Sequence, residues 1–132
     1  MTMILACSQP RELTLENVHE VILLNGIEKP RYVLAQSILE TAWYSSHNCN
    51  ERNNLFGFRS SNWKSEGNSN GYKIFETWEE SVSYYASWQK RKGYQTGEDY
   101  IEFLNRVGYA EDPDYGWKVQ SVLKRVKKEY KI

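Results

Sequence analysis

The stretch PRYVLAQSILETAWY, residues 30–44, is apolar on almost every side of a helix. Tyr32, Ala35, Leu39 and Ala42 fall on one face, and Val33, Leu34 and Ile38 cover most of the rest. Such a helix has no solvated side of its own, so it must run through a core while other elements pack around it. Pro30 suits its first turn, where the missing amide costs nothing, and the pattern predicts a helix from there to about Tyr44. Its one acid is Glu40. Gln36 lies one turn before it, and Trp43 and Tyr44 one turn after, on the same face. Spacing alone leaves two readings. Glu40 is a solvated charge at a helix end, paired with Arg31 or a later lysine, which is the common fate of glutamate. Or it is a carboxyl among aromatic rings, where burial disfavours its charge, raises its pKa and suits it to donate a proton near neutral pH.

The flanking sequence supplies helices to surround that core. Thr14 caps a segment whose Leu15, Val18, Val21 and Ile22 follow helical spacing, and Asn25-Gly26 ends it. Thr77 and Glu80 form a capping box, with Trp78, Val82, Tyr85 and Trp88 inward as far as about Arg91. A further helix fits GEDYIEFLNRVG, capped by Thr96, with Tyr100, Phe103 and Leu104 buried. The last starts at Asp112 or Pro113 and buries Tyr115, Val119, Val122 and Val126. Its basic end, Lys124, Arg125, Lys127 and Lys128, suits the negative end of a helix dipole. SSHNCNERNN reads as a loop. Residues 57–75 read as a small irregular β-hairpin with Asn70-Gly71 as its turn.

A chain of 132 residues fits one domain, here 12–132, after an N-terminal segment 1–11. The balance of 17 basic and 17 acidic side chains argues against a nucleic-acid partner. No run is long enough to span a membrane. The opening MTMILACSQP has the small apolar run and cysteine of a lipoprotein signal but lacks its basic region and length, so export is not read from it. Cys7 and Cys49 match no metal or disulfide framework, and one bridge or two free thiols both fit. His19 and His47 lie in no ligand pattern, and there is no nucleophile elbow or phosphate loop, so neither metal nor cofactor is expected. Five Trp and ten Tyr supply flat faces with polar tips, which suit sugar rings.

AQSILETAWYSS followed closely by NNLFGFRSSNWK resembles the glucosaminidase domain of glycoside hydrolase family 73, a family of bacterial and phage peptidoglycan hydrolases. Gln36, Leu39, Glu40, Thr41 and Trp43 match its pattern of a Gln, an apolar stretch and then Leu-Glu-[Ser/Thr]-Gly-Trp-Gly. Asn54, Leu55, Phe56 and Gly57 match its Asn-Leu-Phe-Gly block. FETWEESV is similar to its aromatic segment, and GYAEDPDY to its Gly-Tyr-Ala-x-Asp-Pro-x-Tyr signature. The blocks keep their order from about Glu12 to Val126. The resemblance implies a mainly helical, lysozyme-like α+β domain with a small hairpin lining a substrate cleft. It implies cleavage of the β-1,4 bond after N-acetylglucosamine, with Glu40 as general acid and Tyr109 assisting near the reacting sugar. Gln36, Trp43, Tyr44, Asn54, Phe56 and Trp63 are the implied substrate-binding residues. Tyr115 reads as a packing residue, and Asp112 as a helix cap.

Two departures stand out: Ala42 and Tyr44 occupy positions where the family has glycine. The second acid has no motif; Glu66 is the positional candidate and Glu76 the runner-up. Water or the substrate's own acetamido group then completes the displacement. The implied partner is the glycan strand of peptidoglycan, cut by a monomer in the envelope, in secreted form, in a secretion apparatus or on a phage particle. A muramidase or lytic transglycosylase on the same fold, or a non-catalytic wall-binding module, are the rival readings.

Overall fold

The computed structural model describes residues 11–60 and 71–132. In chain order it forms α1 (Leu15–Leu24), α2 (Pro30–Thr41), α3 (His47–Arg52), α4 (Trp78–Arg91), α5 (Tyr100–Arg106) and α6 (Tyr115–Tyr130). The central helix is α2. It packs against α6, α1 and α3, and α1 in turn packs against α4. Val33, Leu34, Ala35 and Ile38 are wholly buried, as an all-round apolar sequence requires.

Three of the expected helix starts hold and two shift. Thr14 accepts a hydrogen bond from the Asn17 amide, and Thr77 and Glu80 close both halves of a capping box. Pro30 opens α2. The cap of α5 is Asp99, which accepts from the Glu102 amide, and not Thr96. Asp112 does not cap α6 either; it accepts from the Asp114 amide and from Lys118, and the helix begins at Tyr115. The polar stretch read as a loop contains α3. Ser46 starts it by accepting from the Cys49 amide, and the buried Cys49 anchors it. Cys49 is in no disulfide among the described residues, and burial pushes its thiol pKa up to about 11. Cys7 lies outside the described residues.

The helix α2 stops at Thr41, three residues short of Tyr44. Ala42, Trp43 and Tyr44 all take left-handed backbone, at φ 49°, 59° and 65°. The Trp43 amide bonds the Ile38 carbonyl at 2.9 Å, and the Tyr44 amide bonds the Thr41 hydroxyl at 2.8 Å. Left-handed backbone costs a side-chain-bearing residue about 1–2 kcal/mol, whereas glycine adopts it freely. The family's two glycines thus fall where φ is positive, and this chain bends with Ala and Tyr instead. Tyr44 has compensation, because its hydroxyl bonds Ser37 at 2.8 Å. Ala42 has no side-chain bond to offer. Ala42→Gly should therefore stabilise the fold by about 0.5–1 kcal/mol, the strain relieved less the added freedom of the unfolded chain. Urea denaturation with an unchanged slope checks this.

The arms of the expected hairpin meet through one antiparallel bridge, Arg59 to Tyr72. Ser60 bonds Gly71 and Lys73 bonds Phe58, each at 2.9 Å. No longer strand forms among the described residues. One cause is Asn54, which is wholly buried and takes up backbone groups that a ladder would use. Its amide donates to the Phe58 and Lys73 carbonyls, and its oxygen accepts from the Phe56 and Phe58 amides.

Candidate active site

The left-handed turn after Thr41 leaves Glu40 in the last turn of α2, facing the loop that follows α3. Gly57 makes this possible. Its φ is +69°, and a Cβ placed there would lie 3.0 Å from Oε1 of Glu40. The glycine thus supplies both the bend and the space for the carboxyl. Together they open a cleft of about 520 Å³. Phe56 and Tyr109 line it beside Glu40, Arg59 and Tyr72 come from the bridged arms, and the segment 108–111 closes the other side.

Burial raises the pKa of Glu40, and a hydrogen bond from Tyr115 lowers it by less. Tyr115 ends a buried chain of donors. Gln89 donates to the Tyr100 hydroxyl at 2.9 Å, and the Tyr85 hydroxyl lies 2.5 Å from that of Tyr100. Tyr85 donates to Gln36 Oε1 at 2.6 Å, and Gln36 Nε2 donates to Tyr115 at 3.4 Å. Each hydroxyl that accepts from the Gln89 side is left to donate toward Glu40. Burial pushes Tyr85, Tyr109 and Tyr115 well up, so all three stay neutral phenols. Tyr109 donates to the Phe56 carbonyl at 2.8 Å, which ties the start of the α5–α6 connection to the glycine loop.

The result is a half-buried carboxyl that holds its proton above the ordinary glutamate range, at the wall of a groove wide enough for a sugar. That can protonate a leaving oxygen. No group of three His, Cys, Asp or Glu among the described residues is arranged to hold a metal. A family model described as mannosyl-glycoprotein endo-beta-N-acetylglucosaminidase matches residues 17–128. The chain belongs to the glucosaminidase family.

The glucosaminidase also matches a solved structure, a C-terminally truncated glycoside hydrolase domain of FlgJ from Salmonella typhimurium. The identity is 22%, the TM-score 0.64, and the match covers 86% of this chain and 95% of the other. At that identity the likeness concerns the fold, and it is the mainly helical, lysozyme-like one that the motifs imply. No curated protein sequence matches the chain.

The structure sorts the residues singled out in this glucosaminidase's sequence. Glu40, Phe56 and Tyr109 meet in the cleft. Gln36 and Asn54 have no exposed surface, so they hold the wall from behind and do not reach a sugar. Trp43 lies outside the cleft lining, with the Arg125 guanidinium 4.5 Å from its ring centre. Tyr44 points its hydroxyl inward at Ser37. Trp63 and Glu66 lie outside the described residues. Glu76 is exposed and does not line the cleft, whereas Glu111 does.

Gly57, Tyr115 and Glu111 are the residues whose part sequence reasoning did not give. Gly57 stood inside the Asn-Leu-Phe-Gly block, but its purpose depends on where Glu40 comes to rest. Tyr115 was legible as buried, and its hydroxyl as needing a partner; that the partner is Glu40 is a tertiary fact. Tyr115→Phe removes a donor that favours the Glu40 carboxylate, so the pKa should rise further. The alkaline limb of kcat/KM against pH should move to higher pH, and an unmoved limb would show that the hydroxyl does not reach Glu40 in solution.

Proposed function

We propose that this glucosaminidase hydrolyses peptidoglycan at the β-1,4 bond between N-acetylglucosamine and N-acetylmuramic acid, with Glu40 as general acid. The observation that carries the reading is the half-buried Glu40 carboxyl, its pKa raised by burial, beside Gly57 and Tyr109 in a sugar-sized cleft. Glu40 gives its proton to the glycosidic oxygen as the bond to the anomeric carbon breaks. The muramic residue leaves with its hydroxyl restored. Water, or first the substrate's own acetamido oxygen and then water, attacks the anomeric carbon and yields a reducing N-acetylglucosamine. Tyr109 keeps its proton on the Phe56 carbonyl, so its part is to fix the loop at the reacting sugar. Glu111 is the other described carboxylate in the cleft, and Glu66 remains a proposal from sequence for the second acid.

Such an enzyme works in the cell envelope, outside the cell or on a phage particle, wherever the glycan strand is. No helix among the described residues is long and apolar enough to cross a membrane. The test is product analysis. Purified peptidoglycan is digested, reduced with borohydride and resolved by mass spectrometry. Reduced N-acetylglucosamine ends support the reading. Reduced muramic ends or anhydro ends would assign the enzyme to the rival bond, and undigested wall would leave a binding module.

A further inference from the structure

The cleft does not end at Glu40. A second depression of about 200 Å³ adjoins it, and the two share Phe56, Gly57, Arg59, Gly108 and Tyr109 as a common wall. Their charges differ. The larger one carries the Glu111 carboxylate beside the Glu40 carboxyl. The smaller one is lined by Lys92 and by Trp88, with no carboxylate among its described residues. Arg59 stands at the boundary, its guanidinium 4.0 Å from the Tyr72 ring centre. Lys92 is the exposed C-cap of α4 and makes no ion pair among the described residues. The volume equals about seven waters. That is room enough for an acidic side group.

We propose that this second depression is a subsite for the carboxylates of the peptide carried by the muramic residue. The inference rests on the peptidoglycan reading above and adds a direction to it. In the glycan strand the muramic residues alone carry a lactyl ether and its acidic peptide. Seating that group beside Lys92 puts a muramic residue next to the sugar whose bond is broken at Glu40. Arg59 and Lys92 attract the peptide, while Glu111 repels it from the catalytic half. Register along a strand of alternating sugars is thereby set by charge, and the same glycan without peptide lacks that guide.

The alternative is that Lys92 merely complements the negative end of α4, as cations at helix ends do. Substrate dependence separates the two. The enzyme is assayed on glycan strands bearing their peptides and on strands stripped by an amidase, whose freed lactyl carboxylates are then capped as amides, and kcat/KM is taken for each. For Lys92→Gln the ratio of intact to stripped substrate should fall about threefold, the worth of one partly exposed ion pair. Lys92→Glu should lower it further, Lys92→Arg should restore it, and added salt should shrink the wild-type preference. If Lys92→Glu leaves the ratio unmoved, or lowers both substrates equally with a lower melting temperature, Lys92 is a helix-end cation and the subsite does not exist. A wild-type enzyme that cuts neither substrate contradicts the glycosidase reading itself, which keeps the two failures apart.

Discussion

Glu40→Gln is expected to lower kcat/KM on peptidoglycan about a thousandfold while leaving the circular dichroism spectrum unchanged. The amide keeps the shape of the carboxyl but has no proton to give. Its effect on stability should run opposite to its effect on rate. Burial raises the Glu40 pKa in the fold. Between the ordinary glutamate value and that raised value, the folded protein holds a proton that the unfolded chain has released. Stability therefore falls as pH rises through this window. Below it, wild type and Glu40→Gln should differ little. Above it, the variant escapes the cost of a buried charge and should melt no lower than wild type. A variant that loses both activity and stability at neutral pH would make Glu40 a structural residue. One that retains wild-type turnover would remove it from the chemistry.

Gly57→Ala is expected to cost about a hundredfold in kcat/KM, at a stability cost of only about 1–2 kcal/mol. The new methyl would stand 3.0 Å from Oε1 of Glu40, on a backbone at φ +69°. The carboxyl is the mobile partner, so it should swing aside and lose its aim. A displacement near 1 Å is enough for a loss of that order. Kinetics and urea denaturation on the same sample decide it. Wild-type kinetics in a folded Gly57→Ala would show that Glu40 has freedom to spare and that the contact does not set its position.

These two variants also mark the limit of what the residues alone disclose. The burial of Val33, Leu34 and Ile38 was legible from an apolar pattern on every side of the helix, and so was the capping box at Thr77 and Glu80. Local rules fix both. The end of α2 was not, because Ala42 and Tyr44 adopt left-handed backbone that their own preferences oppose; it is the Thr41 and Ser37 hydroxyls that hold the turn. Asp99 displaced Thr96 as a cap because several polar residues lie close enough to compete for one helix start. At the site, periodicity placed Gln36 and Trp43 on the face of Glu40. It could not tell that Gln36 faces inward to Tyr85, or that Arg125 from the last helix covers Trp43. The hairpin pattern was partly legible, but Asn54 takes the backbone groups that would have lengthened it. What the motifs singled out was Glu40. What they left to tertiary structure was its surroundings: Gly57 in front, Tyr115 behind, and Glu111 in the same cleft.

The central claim is that packing turns Glu40 into a proton donor. The most direct measurement is the titration of its carboxyl carbon by NMR, assigned by the signal absent from Glu40→Gln. The account predicts a midpoint above the ordinary glutamate range, coinciding with the alkaline limb of kcat/KM on peptidoglycan. A midpoint at or below that range, with the alkaline limb elsewhere, would contradict it.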